Sequence, residues 1–169
     1  TKKIAADFSL HFPHSEINFY SCETEMHQGN PNDYFQFPTD ILNKKFDGEL
    51  ALSKLQQHFA EENIGNALME KSVFVGMGDL IRTEALYRAK IHPESLVNNI
   101  PEKKLIFLII SAVNFADELV EHFKNDEVNS KALIFEKKMC PKDKSEIQIA
   151  ISTETNRKIY ICPKCQKLF

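Results

Sequence analysis

Gly76-Met77-Gly78-Asp79-Leu80-Ile81-Arg82-Thr83-Glu84-Ala85-Leu86-Tyr87-Arg88-Ala89-Lys90-Ile91-His92-Pro93 is a glycine-pinched turn that opens directly into an amphipathic helix. Gly76 and Gly78 let the backbone approach a ligand closely, and the first helical turn leaves N–H groups pointing outward at the positive end of the dipole. That arrangement suits an anion such as phosphate. The plainer alternative is an ordinary helix start, with Asp79 as N-cap. Far downstream stand Cys140-Pro-Lys-Asp143 and then Cys162-Pro-Lys-Cys165, with Arg157 ahead of the second pair. A phosphate-gripping helix followed by a basic, metal-held hairpin points toward a nucleic acid. Neither half makes that case alone.

The hairpin reading rests on spacing. Two residues separate Cys140 from Asp143, eighteen separate Asp143 from Cys162, and two separate Cys162 from Cys165. This is the spacing of a zinc ribbon with one ligand changed. Three thiolates and a carboxylate are acceptable zinc donors, although a carboxylate is harder than a thiolate. The alternative is a zincless hairpin in which Asp143 bonds backbone amides. Arg157, beside Asn156 and Lys158, falls at the tip between two ribbon strands, where a guanidinium can fork onto a phosphate. Its alternative is a merely solvated turn. His92 before Pro93 reads as structural.

Bulk properties fit this picture. The 169 residues are 43% hydrophobic and 27% charged, enough for one core or two small ones. The net charge is −3, but it is uneven: residues 131–169 carry nine Lys or Arg against four Asp or Glu, and residues 1–130 carry twelve against twenty. A local basic face matters more than the total for gripping phosphate. The apolar run Leu105–Ala116 is interrupted by Ser111 and Asn114 and is too short to span a bilayer, so no membrane is expected. Three of the four cysteines lie near the C-terminus, which suits metal binding in reducing surroundings better than a disulfide framework. The polar first residues read as neither secretory leader nor initiator, and the chain is expected to begin partway through a larger protein.

Periodicity supplies the elements. Residues 4–12 and 16–22 alternate as two half-buried strands around Pro13-His14-Ser15, and they belong to a larger sheet. Residues 27–40 read as a loop. Asp47 caps a helix through Leu50, Leu52, Leu55 and Phe59, and a short helix follows around 66–71. The helix opening near Asp79 turns Leu80, Ala85, Leu86 and Ala89 inward and ends before Pro93. Pro101 starts the longest helix, the expected centre of the bundle, with Leu105, Ile109, Ala112, Val113, Ala116, Leu119, Val120 and Phe123 inward. Residues 124–131 form a polar boundary. Ile147, Ile149, Ile151, Ile159 and Ile161 then alternate in a two-stranded ribbon.

In this order the pieces resemble the formamidopyrimidine-DNA glycosylase and endonuclease VIII family of base-excision repair enzymes. The family signature Gly-x-Gly-Asn-x-x-x-x-Glu-x-Leu-x-x-x-x-x-His-Pro is met in register by Gly76, Gly78, Glu84, Leu86, His92 and Pro93. Its finger, Arg-x-x-x-x-Cys-x-x-Cys-Gln, is met by Arg157, Cys162, Cys165 and Gln166. The resemblance implies phosphate contacts from the turn at Gly76, Gly78 and Asp79 and from the tip at Arg157 and Lys158. It also implies structural zinc at Cys140, Asp143, Cys162 and Cys165, and a supporting role for Glu84 facing an N-terminal proline. Two positions depart from the pattern. Asp79 replaces the family asparagine, and a carboxylate cannot donate to phosphate. Asp143 replaces a cysteine. The family's N-terminal Pro-Glu, whose amine attacks the sugar of a flipped-out nucleotide, does not begin this chain.

The expected architecture is therefore α+β. Residues 1–40 are the end of an N-terminal β-sandwich, 41–129 a helix–two-turn–helix domain, and 130–169 a zinc-finger-like β-ribbon. The expected function is that of a DNA glycosylase with abasic-site lyase activity on oxidised bases, acting as a monomer on damaged double-stranded DNA in the bacterial nucleoid or the nucleus. By itself this stretch is expected not to cleave DNA. The rival readings are a non-catalytic nucleic-acid-binding module on a degenerate glycosylase scaffold and a metal-ribbon interaction protein.

Overall fold

The computed structural model describes residues 5–30, 37–123, 131–152 and 156–169. Parts of four expected segments lie outside these residues: residue 4 of the first strand, 31–36 of the 27–40 loop, 124–130 of the polar boundary, and 153–155 of the ribbon turn. The fold is α+β. The chain divides into two compact units, Thr1–Gln36 and Phe37–Phe169.

The first unit is a hairpin. β1 (Phe8–Phe12) pairs antiparallel with β2 (Ser15–Phe19), with Phe8 opposite Phe19 and Leu10 opposite Ile17. Phe8 and Phe19 face each other across the non-turn end with ring centroids 5.7 Å apart. Period-two alternation does put the apolar side chains on one face. That face is not half-buried: Phe8, Leu10, Phe12, Ile17 and Phe19 are all exposed.

Among its described residues the second unit holds four α-helices and a ribbon. α1 (Gly48–His58) starts where Asp47 accepts a hydrogen bond from Leu50 N at 2.9 Å, and it buries Ala51 and Leu55. α2 (Ile64–Ala67) begins and ends earlier than the expected 66–71, because two of its first amides find distant acceptors. Ile64 N donates to Ser95 O and Gly65 N to Pro93 O. α3 (Asp79–Ala89) ends on Lys90 in the left-handed region, φ 58°, with Ile91 N returning to Leu86 O. After a 3-10 turn at Val97–Asn99, α4 (Glu102–Phe123) runs along α3.

Two expectations about these helices change. α3 is not a one-sided surface helix: Arg82 through Tyr87 and Ala89 are all buried, with Leu80 only partly so. It lies against both α4 and the ribbon, and so takes the central place expected of the longest helix. α4 faces the core with Leu105, Leu108, Ile109, Ala112, Phe115, Ala116 and Leu119. Val113 is only half-buried, and Val120 and Phe123 are exposed, because α4 outruns its partner toward its C-terminus.

The ribbon pairs β3 (Gln148–Ile151) antiparallel with β4 (Lys158–Ile161), with Ile149 opposite Tyr160 and Ile151 opposite Lys158. β4 packs on α3 and buries Ile159, Tyr160 and Ile161 consecutively, while Ile149 and Ile151 on β3 stay exposed. The expected pattern of inward isoleucines therefore fails in two ways: β4 is covered on both faces, and on β3 it is Ala150 that is half-buried while Ile149 and Ile151 face outward.

Candidate functional site

Two clusters in the second unit gather the residues singled out by sequence. The first is formed by the knuckles below the ribbon. The Cys140 knuckle closes with Cys140 N donating to Ser145 O and Lys144 N to Cys140 O, and Lys144 takes φ 60° at the bend. The Cys162 knuckle closes with Gln166 N donating to Cys162 O, and Cys165 N points at Cys162 Sγ.

These closures bring one donor atom each from Cys140, Asp143, Cys162 and Cys165 within 4.8 Å of one another. Cys140 Sγ and Cys165 Sγ are 3.8 Å apart, and Asp143 Oδ2 lies 3.0 Å from Cys165 Sγ and 3.3 Å from Cys162 Sγ. A tetrahedral zinc with bonds of about 2.3 Å to sulfur requires edges of about 3.8 Å between sulfurs and somewhat less to oxygen. The cluster has that size and a suitable donor set, so it is compatible with a metal. Asp143 does two jobs at once: Oδ2 faces the thiols, while Oδ1 accepts from the amide and hydroxyl of Ser145. Its carboxyl is held well below the usual carboxylate range, first by the Cys165 thiol and then by Ser145.

Burial, and next the Asp143 carboxylate beside it, pushes the Cys165 thiol up to about 12. Cys140 moves the other way. Burial opposes its ionisation, but the hydrogen bond from Tyr87 and the nearby amides of Asp143 and Lys142 outweigh it. Tyr87 Oη is 3.2 Å from Cys140 Sγ and is itself pushed up by burial and by that bond. A cation sharing the site would favour loss of the Cys165 proton, because metal ligation requires the thiolate.

The second cluster lies where the glycine turn meets the ribbon. Gly76 has φ +83°, which demands glycine, and its neighbour Val75 is fixed by exchanging hydrogen bonds with Thr39 and Ile41. Gly78 is the N-cap of α3 in extended conformation, so Asp79 is the first helical residue rather than the cap. Asp79 instead turns to two arginines. Its Oδ2 is 3.0 Å from Arg157 Nη1, and its Oδ1 is 3.0 Å from Arg82 Nη2, an ion pair without the alignment of a hydrogen bond. Arg157 stands immediately before β4, half-exposed, with Asn156 in the left-handed region beside it and Lys158 exposed after it. The pinched turn and the ribbon tip thus share one side of the unit.

Arg82 is the residue that sequence reasoning missed. A helix arginine is usually solvated, but this one is fully buried, and burial lowers its proton affinity while Asp79 partly restores it. Its Nη2 donates to Lys158 O at 3.0 Å and Nη1 to Gly65 O at 3.4 Å. The available signal was its place three residues after Asp79, a helical ion-pair spacing. Gln166, matched only as part of a motif, is buried and joins the two modules: its Oε1 accepts from Cys162 N and its Nε2 donates to Ile91 O. Glu84 is buried as well. Its Oε1 accepts from Ile134 N and Phe135 N, each at 2.9 Å, and its Oε2 has no hydrogen-bond partner among the described residues. His92 is structural: its ring Nδ1 accepts from Glu94 N and its own amide donates to Lys167 O.

Among the described residues no helix is long and apolar enough to cross a membrane. Residues 38–132 match the formamidopyrimidine-DNA glycosylase H2TH domain. Endonuclease 8-like 2 of Mus musculus is 30% identical over 151 residues, covering 88% of this chain and 44% of that protein. A solved viral DNA glycosylase is 30% identical and superposes with a TM-score of 0.67 over 76% of this chain and 50% of that one. The fold is also that of the Lactococcus lactis formamidopyrimidine-DNA glycosylase solved non-covalently bound to DNA containing an AP site, at 24% identity and a TM-score of 0.67 over 76% of this chain and 49% of that one. The chain spans about half the length of these relatives. With its glycine turn, buried α3 and Cys3Asp ribbon in this order, the chain belongs to the formamidopyrimidine-DNA glycosylase and endonuclease VIII family and carries that family's H2TH domain.

Proposed function

We propose that this chain supplies the duplex-gripping part of a base-excision-repair DNA glycosylase with abasic-site lyase activity on oxidised bases, acting in the nucleoid or nucleus. In this reading residues 1–40 end the N-terminal sandwich, 41–129 are the helical DNA-binding domain and 130–169 the ribbon. The amides around Gly76, Gly78 and Asp79 hold phosphates flanking the lesion, and Arg157 and Lys158 reach the phosphate beside the flipped nucleotide. Zinc held by Cys140, Asp143, Cys162 and Cys165 fixes both knuckles, and with them the strand on which Arg157 stands. Glu84 supports the fold between α3 and the segment leading to the ribbon.

The observation that carries the proposal is the 3.0 Å approach of Arg157 to the first residue of α3. A cation from one module and open amides from the other can therefore meet the same stretch of sugar-phosphate chain. Among the described residues an added Cβ at Gly78 would touch nothing within 4 Å, which leaves room for a ligand against that backbone.

Titration of this chain against a duplex carrying an abasic-site analogue tests the reading, with affinity falling steeply as salt rises. Arg157→Ala is expected to weaken binding by about 1–3 kcal/mol, the scale of a lost charged hydrogen bond; an unchanged affinity removes Arg157 from the site. One observation favours the rival, a non-catalytic binding module: Asp79 puts a carboxylate against the very arginine that should meet phosphate. Borohydride reduction of the protein with an abasic duplex separates the two. A covalent adduct assigns lyase chemistry to the protein tested, and binding without an adduct assigns it to recognition.

A further inference from the structure

At the start of α3 two guanidinium groups share one carboxylate, and they differ in freedom. The Arg82 side chain is 1% exposed and is committed to the backbone carbonyls of Gly65 and Lys158, so it cannot turn outward. The Arg157 side chain is 49% exposed, and its ion pair with Asp79 is the one polar side-chain contact it makes among the described residues. Asp79 is therefore anchored from behind and clasps the half-exposed cation in front. It also sits on the first residue of an eleven-residue helix, at the positive end of the dipole, where an incoming phosphate would settle.

We propose that Asp79 is a built-in phosphate mimic that occupies the Arg157 guanidinium in the free protein and must yield it to a phosphate of duplex DNA, which makes Asp79 the residue that sets duplex affinity. This rests on the duplex-binding reading above. The charge count shows the direction. Two arginines and one aspartate leave +1 at the junction, and a neutral residue at position 79 would leave +2. On binding, Asp79 keeps Arg82 and releases Arg157, so one favourable pair is exchanged for another instead of being added to it. A half-exposed ion pair is weak, so phosphate displaces it at low salt. The result is graded weakening of the grip, greatest at low salt and shrinking as salt screens the charges.

The test uses the full chain and a fluorescent duplex of about 20 base pairs, with and without an abasic-site analogue, titrated across a range of salt. Asp79→Asn, which preserves shape and removes charge, is expected to bind roughly three- to tenfold more tightly at low salt. Its plot of log affinity against log salt should steepen by about one phosphate equivalent. The gain should vanish in Asp79→Asn combined with Arg157→Ala. Asp79→Ser should shift affinity in the same direction.

If wild type binds and both neutral variants bind equally or more weakly, the competition does not exist. If the gain survives removal of Arg157, the carboxylate acts by general repulsion, and the proposal is overturned. Failure of both variants to fold would assign Asp79 to the buried Arg82 pair alone, which also overturns it. Absence of binding by wild type and every variant sinks the duplex-binding reading itself, and this inference with it.

Discussion

A Cβ at Gly65 would lie 2.9 Å from Pro93 Cβ, too close without a shift of one of them, and 3.1 Å from Pro93 O, which is itself tight. Gly65 N donates to that same carbonyl, so the approach is fixed by a hydrogen bond and cannot simply open. Gly65→Ala is expected to destabilise the chain by about 1–3 kcal/mol, the cost of overpacking, seen as a lower denaturant midpoint at unchanged slope. Gly78→Ala makes the contrasting case. With no neighbour within 4 Å among the described residues it should cost less than about 1 kcal/mol, the difference between glycine and alanine as N-cap, while duplex affinity falls measurably. An affinity loss at Gly65 without a stability loss would reverse these assignments. Sequence made Gly76 and Gly78 visible because they punctuate a helix start. Gly65 carries no such mark, since its partner Pro93 is remote in the chain and only the fold brings them together. Arg82 was hidden for the same reason: its two backbone acceptors belong to α2 and β4.

The ribbon and its knuckles were readable as an element, because thiol spacing survives any packing and two short strands must join Asp143 to Cys162. What spacing could not supply was the surroundings of each ligand. Tyr87, on α3, reaches Cys140 Sγ at 3.2 Å, and the Asp143 carboxylate is held in place by Ser145. Such outer partners orient ligands and commonly change metal affinity by about 10–100-fold. Tyr87→Phe is accordingly expected to weaken zinc retention by about that factor in competition with a chelator. Asp143→Cys should strengthen retention, because thiolate is the softer donor, and Asp143→Ala should weaken it. A chain whose zinc content is indifferent to all three changes does not hold metal at this cluster. The face that α4 buries was only partly legible. Its apolar residues extend around much of the helix, with Ile106, Phe107 and Ile110 exposed beside the buried Leu105, Leu108 and Ile109. Periodicity then gives a broad stripe, and the position of α3 decides which part of it is covered.

For the whole of Phe37–Phe169, the helical and ribbon modules behave as one body because α3 sends side chains into both. Arg82 holds Lys158 O, Glu84 holds the amides of Ile134 and Phe135, Tyr87 holds Cys140, and Gln166 returns the link to Ile91. The modules follow each other in sequence as separable motifs, and nothing in their spacing announces the joint, which is made of polar groups in positions that otherwise read as core or solvent. Arg82→Met is the sharpest probe of it. Methionine fills similar length without strain, but it strips Asp79 of its buried cation and leaves the carbonyls of Gly65 and Lys158 without their guanidinium donor. Removing one partner of a buried pair in this way costs about 3–5 kcal/mol. Wild type should unfold by denaturant in a single transition reported alike by helix content and by tyrosine environment. Arg82→Met should move that midpoint down strongly, or split it into a ribbon transition ahead of a helical one. Arg82→Lys should recover little, because a single ammonium lacks the planar fork that serves two carbonyls and a carboxylate at once. A loss below about 1 kcal/mol in Arg82→Met, with one unshifted transition, would mean the two modules are held together by apolar packing between α3 and β4 alone.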